Sequence, residues 1–289
     1  MEGGRRRFLV LGCNGMAGHT VGLYLKEGGH DVTGLGRSPS RVMESITGDV
    51  RDTDALRRHL AEGRYDAVVN CVGILNQQAE SHKADACFIN ALLPHLLAEY
   101  TAGTGTQVVH LSTDCVFSGR RGGYREDDLR DGETFYDRSK ALGELEDDAN
   151  ITLRTSIVGP DMNPDGIGLL NWFMRQRESV NGYVHAIWTG QTTVQLARTI
   201  EYAVQRRISG LYNIVPDQAI SKYDLLVLFN RYLRQGALQV KPVEGVSVDK
   251  SLLRTRRGLD CVVPGYEEMV ADMARWIERH RDLYPHYGA

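Results

Sequence analysis

The 289-residue chain carries 34 Lys and Arg against 37 Asp and Glu, a net charge of -3, and 42% of its residues are hydrophobic. It is long enough to bury a good core as one large or two modest domains. Its slightly acidic balance excludes the broad basic surface that nucleic acid or an anionic membrane would select.

Cys13, Cys71, Cys87, Cys115 and Cys261 are scattered and odd in number. With no CxxC pair among them, neither a disulfide framework nor a zinc site is indicated, and a reducing cytoplasm is the expected location. The Arg5-Arg6-Arg7 run is not expected to open an export signal, because the apolar stretch behind it stops at Gly12. No segment is apolar for long enough to span a bilayer.

Phe8 to Leu11 is a short apolar run, followed by a helical pattern from about Gly15 to Lys26. The alternation repeats with a strand at His30 to Leu35, a helix at Asp52 to Glu62, a strand at Ala67 to Cys71, a helix ending near Tyr100 and a strand at Thr106 to Leu111. Such alternation predicts an α/β fold, a Rossmann-like doubly wound parallel sheet with helices on both faces. Pro94 lies inside one of these helices and is expected to kink or split it, having no N–H to donate. A polar loop from Ser118 to Glu133 precedes a helix around Tyr136 and a strand at Ile151 to Thr155.

Beyond Ser156 the composition shifts. Gly159-Pro160 and Asn163-Pro164-Asp165-Gly166 mark turns. Residues 1–155 are therefore expected to form the dinucleotide-binding domain. Residues 156–289 are expected to form mainly a smaller C-terminal α/β substrate-binding lobe, with some segments free to return to the sheet. Helices are predicted near Leu169–Gln176, Thr193–Arg206, Ser221–Arg234 and Tyr266–Arg279, with a strand at Leu211–Val215.

Gly12-Cys13-Asn14-Gly15-Met16-Ala17-Gly18 has G-x-x-G-x-x-G spacing between a strand and a helix. Glycines there permit a tight turn and a close approach of backbone to a pyrophosphate, with helix N–H groups facing the phosphates. An ordinary strand-to-helix turn has the same local look. After the second strand come Arg37 and Ser38, with no carboxylate where NAD would want one, so NADPH is the expected cofactor and NADH the alternative. Asp49-Val50 stands where an adenine amino group would be bound, although Asp49 equally suits a turn. Cys71, Val72 and Gly73 close the fourth strand beside the same cofactor.

Tyr136 and Lys140 are four residues apart in a probable helix and so share a face. A nearby ammonium would lower the phenol pKa and make Tyr136 an acid or base near neutrality. The pair gains weight from the Ser112-Thr113 step upstream of it.

Together, Gly12 to Gly18, Ser112-Thr113 and Tyr136 to Lys140 resemble the extended short-chain dehydrogenase/reductase family. Ser112 to Gly119, Tyr136 to Glu144, Leu153-Arg154-Thr155-Ser156 and Gly210-Leu211-Tyr212-Asn213 are similar to dTDP-4-dehydrorhamnose reductases and related nucleotide-sugar reductases. The resemblance implies hydride transfer from NADPH to the C4 carbonyl of a 4-keto-6-deoxy nucleotide sugar. Thr113 would hold the keto oxygen, Tyr136 would protonate it, and Lys140 would bind the nicotinamide ribose. Asn90 resembles the family's active-site asparagine, and equally suits a buried Asn satisfying backbone groups.

The chain departs from that pattern at Ile157, where an aromatic is common. Nucleotide-sugar 4,6-dehydratases carry Thr-Asp-Glu where this chain has Thr113-Asp114-Cys115, so the base for dehydration is missing. An epimerase or dehydratase retaining NAD, and a non-catalytic regulatory subunit of the same fold, are the competing readings. The expected partner is the nucleotide sugar, with no nucleic acid or membrane, and a homodimer is compatible with the reading. Arg254, Arg256 and Arg257 are candidates for a diphosphate, or for a solvated basic face. Glu144, Glu146, Asp147 and Asp148 read as a solvated helix face, and no metal is assigned.

Overall fold

The structure is a computed structural model and describes residues 4–288. The first half runs β1 (Arg7–Leu11), α1 (Met16–Glu27), β2 (Asp31–Gly36), β3 (Glu44–Thr47), α2 (Thr53–Gly63) and β4 (Ala67–Asn70). It continues through short α3 (Asn76–Ser81) and α4 (Lys83–Ala86), a π-helical turn at Cys87–Leu92, α5 (Leu93–Thr101), β5 (Gln107–Ser112), α6 (Phe135–Leu142) and β6 (Ile151–Arg154). The second half is β7 (Ser156–Val158), α7 (Leu169–Met174), β8 (Ser179–Tyr183), β9 (Ala186–Trp188), β10 (Gly190–Thr192), α8 (Thr193–Arg206) and β11 (Gly210–Asn213). It ends with β12 (Ile220–Ser221), α9 (Lys222–Leu233), β13 (Gln239–Val243), β14 (Val248–Asp249) and α10 (Tyr266–Arg279).

Seven strands form one sheet in the order β11-β6-β5-β4-β1-β2-β3, and every neighbouring pair is parallel. A parallel strand covered on both faces reads as a continuous apolar run, as Phe8-Leu9-Val10-Leu11 does, each residue fully buried. The strand period of two then divides the run. Phe8 and Val10 pack with Val21 of α1 and Ile200 of α8, whereas Leu9 and Leu11 pack with Leu56 of α2 and Leu97 of α5. From β1 the chain moves outward to β2 and β3 on one side, then crosses to β4, β5 and β6 on the other. This reversal opens a crevice above the carboxyl ends of β1 and β4, where such folds bind ligands.

The helix is not split at Pro94: it runs on from the π-helical turn into α5 at Leu93, and only its hydrogen-bond pattern changes there. Proline has no N–H to return to the Asn90 carbonyl one turn back. Gly143, just past α6, packs onto that carbonyl, and a Cβ built there would stand 2.0 Å from the oxygen. Only glycine permits that approach.

The strand expected at Leu211–Val215 is β11, and it joins the main sheet beside β6 with Asn213 opposite Arg154. The second lobe proper has its own core, built from Phe173, Trp188, Phe229, Met273 and their neighbours. It contains the small sheet β12-β9-β14 and the β8-β13 pair. The helices expected at Thr193–Arg206 and Tyr266–Arg279 have those bounds.

Candidate active site

The glycine turn closes as its spacing requires. Gly12 has φ of +73°, and a Cβ on Gly18 would lie 2.1 Å from the Gly12 carbonyl oxygen, so the turn and the first turn of α1 are in direct backbone contact. Gly15 caps α1 without a side-chain hydrogen bond, so no side chain occupies the helix N-terminus that would meet an anion. Met16 opens the helix and faces Gly168 of the loop before α7.

A cleft of about 910 Å³ lies over this turn. Gly12, Asn14 and Gly15 form its floor, Arg37 and Ser38 stand at the end of β2, Asp49 and Val50 follow β3, and Cys71, Val72 and Gly73 follow β4. Of the residues predicted for the cofactor, these ten line the cleft, while Gly18 packs behind the turn. Asn14 ties turn to rim through Nδ2, which donates to the Ser38 carbonyl at 2.8 Å.

Asp49 also carries an ion pair at the cleft rim. Arg51 donates to it through Nη2 at 2.7 Å and Nε at 3.1 Å, and through Nη1 to Asp85 at 3.2 Å. The Arg51 hydrogen bond outweighs partial burial and holds the Asp49 carboxyl below its ordinary pKa. Neither Arg51 nor Asp85 was marked by the sequence, since each is an ordinary surface charge until α4 is brought to the cleft.

α6 begins with a reciprocal cap: the Asp137 N–H donates to Thr134 Oγ1 at 3.1 Å, and the Thr134 N–H donates to Asp137 Oδ2 at 3.2 Å. This fixes Tyr136 in the first turn, 8% exposed. The expected lowering of the phenol pKa by Lys140 is absent. Burial pushes Tyr136 well above its ordinary value, the charges of Cys115, Asp114 and Asp137 add to that, and only the Thr113 side chain pulls the other way. Lys140 shares the helix but sends its ammonium to β5, where Nζ donates to the Leu111 carbonyl at 2.7 Å. Burial brings its pKa down to about 8 against the opposing charge of Glu144.

Thr113 directly follows β5 and is 9% exposed. Its Oγ1 donates to Asp114 Oδ1 and accepts from the Cys115 N–H, each at 3.1 Å. Burial raises the Asp114 pKa despite the charges of Lys222 and Lys250, which the second lobe brings to it. Lys222 Nζ lies 4.9 Å from the Trp188 ring centroid. Burial pushes the Cys115 thiol up to about 12. Asn90 is fully occupied: Oδ1 accepts from the Ile74 N–H at 2.9 Å, and Nδ2 donates to the Ile74 carbonyl at 2.8 Å and to Ser139 Oγ at 3.1 Å. It staples the loop after β4 to α6.

One surface reading is corrected. Glu144 is not on a solvated helix face: α6 ends at Leu142, and Glu144 turns inward to bind the fully buried Arg154, with Nε–Oε1 at 2.8 Å and Nη2–Oε2 at 2.7 Å. Ser112 Oγ donates to the same carboxylate at 2.6 Å, and Arg130 pairs with both Glu144 and Glu146. Of the arginines considered for a diphosphate or a solvated face, two hold backbone carbonyls. Arg254 donates to the Leu259 and Cys261 carbonyls, and Arg256 to the Leu211 carbonyl. Arg257 is exposed.

A doubly wound parallel sheet with a glycine turn beneath its crevice, and a Tyr-Lys helix after β5, defines a dinucleotide-binding protein of the short-chain dehydrogenase/reductase type. Within that class the chain belongs to the RmlD substrate binding domain family, which matches residues 6–259. It is 37% identical over 142 residues to a dTDP-4-dehydrorhamnose reductase of Streptomyces griseus, covering 48% of this chain and 44% of that protein. The match thus spans a little under half the length of that relative. A dTDP-4-keto-6-deoxy-D-glucose reductase of Streptomyces niveus is 28% identical over 86% of both chains. Among solved structures, the dTDP-4-dehydrorhamnose reductase of Bacillus anthracis in complex with NADP superposes with a TM-score of 0.78 over 95% of this chain and 100% of that one. At 20% identity the shared property is the fold.

Among the described residues, no helix is long and apolar enough to cross a membrane.

Proposed function

We propose that this protein reduces the C4 ketone of a 4-keto-6-deoxy nucleotide sugar with NADPH. The observation that carries the reading is the placement of Tyr136, buried in the first turn of α6, with its phenol interacting with the Thr113 side chain just past the carboxyl end of β5. The names of the similar reductases support the substrate class.

The cleft fits the cofactor, because the glycines leave room where a Cβ would collide with backbone. Gly12, Gly15 and the start of α1 would hold the pyrophosphate, Arg37 and Ser38 the adenosine 2'-phosphate, and Lys140 the nicotinamide ribose. NADPH supplies the hydride when bound. The chain's own part is to hold the ketone oxygen with Thr113 and give it the Tyr136 proton as negative charge develops. Lys222 and Lys250 are the cations whose charge reaches Asp114, next to Thr113.

Cys115 supports reduction over dehydration. A thiol pushed to about 12 stays protonated and is a poor base for removing a proton from carbon. The test is to follow NADPH oxidation with a 4-keto-6-deoxy nucleotide sugar and, separately, to look for a 4-keto product from a 4-hydroxy sugar without added cofactor. Product in the second tube and no oxidation in the first would reverse the assignment.

Arg37→Ala should reduce the preference for NADPH over NADH on the order of tenfold, the value of one solvent-exposed charge-assisted contact. Comparing kcat/KM for the two cofactors checks this, and an unmodified protein that prefers NADH would remove Arg37 from the role.

A further inference from the structure

α1 carries a fully buried histidine, His19, that the proposed reduction does not use. It lies one turn beyond Gly15, and the Gly15 carbonyl accepts from it twice, from the backbone N–H at 3.0 Å and from ring Nδ1 at 2.9 Å. A carbonyl only accepts, so Nδ1 carries the proton. Burial, against the Gly15 hydrogen bond and with the charge of His280 adding to it, brings the His19 pKa down to about 4, so the ring is uncharged. An uncharged ring with its proton on Nδ1 accepts at Nε2.

The donor to Nε2 comes from the other end of the chain. Tyr284 follows α10, is 1% exposed and gives its hydroxyl hydrogen to Nε2 at 2.9 Å, while its oxygen accepts the Trp276 Nε1–H at 3.2 Å. Thr20 Oγ1 is farther from Nε2, at 3.3 Å, and donates to the Met16 carbonyl. The direction of donation is then set along the whole line: Trp276 to Tyr284, Tyr284 to His19, His19 to Gly15. Tyr287 stacks on Tyr284 with ring centroids 5.7 Å apart and accepts the Asp161 N–H at 2.9 Å, in the loop that brings Gly168 to Met16. Residues 281–287 thus hold both the glycine turn and the loop facing it.

The Gly15 carbonyl shares a peptide plane with the Met16 N–H, which points the opposite way, out of the helix N-terminus. Gly15 has no Cβ to limit its own turning, so the plane needs an outside hold. Fixing the carbonyl fixes an unpaired N–H of α1 at the place where a pyrophosphate would sit. We propose that Tyr284 is a positioning residue for the cofactor turn, acting through His19 on the Gly15 carbonyl so that the Met16 N–H stays aimed at a pyrophosphate. The role rests on reading the cleft as the NADPH site of the proposed reductase.

The experiment compares, by titration calorimetry at a temperature where each protein is folded, the binding of NADPH and of adenosine 2'-monophosphate, which has no pyrophosphate. Tyr284→Phe keeps the stacked ring and removes only the hydroxyl. It should weaken NADPH by about three- to tenfold, the worth of one buried hydrogen bond, and leave adenosine 2'-monophosphate unmoved. His19→Asn puts an amide N–H where the Nδ1–H stood, so it should keep most of the NADPH affinity and make it insensitive to Tyr284→Phe. Nitrogen-15 NMR of the unmodified protein, which depends on no variant folding, should show His19 as the Nδ1–H tautomer. The Nε2–H tautomer, equal losses for the two ligands, an NADPH affinity unmoved by Tyr284→Phe, or the same loss in the Asn background would overturn the proposal. None of these measurements uses a sugar, so the expected results without any sugar reduction would sink the reductase reading alone, and an unmodified protein that binds no NADPH would overturn both.

Discussion

Tyr136→Phe is expected to lower kcat by about 100 to 10,000-fold, the usual contribution of a positioned general acid, while the NADPH dissociation constant stays nearly unchanged. The ring packs against Ala79 and Ala86, and Phe keeps those contacts, so the loss is confined to the hydroxyl. Burial raises the phenol pKa, so the proton is present throughout the neutral range, and Tyr136 contributes no limb to the activity profile there. A raised pKa also makes the phenol a weaker acid than an exposed tyrosine. On the proposed reading, transfer has to coincide with charge developing on the ketone oxygen, where the Thr113 hydroxyl would stabilise the product alkoxide. Steady-state turnover with a 4-keto-6-deoxy nucleotide sugar, alongside cofactor binding followed by fluorescence, makes the test. A Phe variant with undiminished kcat would take Tyr136 out of the mechanism.

The cofactor half of the site was legible because its signals are local. Glycines at 12, 15 and 18 act within one turn, and the runs Phe8–Leu11 and Ala67–Val69 are apolar because both sheet faces are covered. Spacing along a helix also showed that Tyr136 and Lys140 share a face. It could not show where a long side chain would reach, and Lys140 stretches to a carbonyl of β5. The acidic run after Leu142 misled for a related reason. Composition cannot tell that one carboxylate of four is drawn inward by an arginine on β6, ten residues along the chain. Which segment of the C-terminal half returns to the main sheet was equally hidden. Gly210 to Asn213 has the pattern of any short strand, and only its pairing with β6 sets its place. Asp114, Lys222 and Lys250 come from separate segments, and the fold alone brings them together.

Glu144→Gln should destabilise the protein by about 3 to 5 kcal/mol, because it leaves the guanidinium of Arg154 buried without its counter-charge. Arg154 has no exposed surface, and its remaining partners are the Glu126 carbonyl at 3.3 Å and Asn213 Oδ1 at 3.2 Å, both neutral. The loss should appear as a drop in Tm of roughly 5 to 15 °C for a chain of this size. Replacing both partners, as Glu144→Met with Arg154→Met, should cost clearly less than the sum of the two single changes, since no charge is then stranded. The pair also sets an acid limit. Burial raises the Glu144 pKa, but the Arg154 hydrogen bond and charge, with Ser112 and Arg130, outweigh it and hold the carboxyl below its ordinary value. A group whose folded pKa is depressed contributes its stability above the unfolded value and loses it as pH falls through the folded one. Unfolding free energy should therefore decline below about pH 4.5 in the unmodified protein and less steeply in Glu144→Gln. Because Ser112 precedes Thr113 and donates to the same carboxylate, the Gln variant should also lose kcat at temperatures where it is still folded. Additive single and double changes in denaturant unfolding, or identical acid limbs for the two proteins, would show that the pair does not act as a unit.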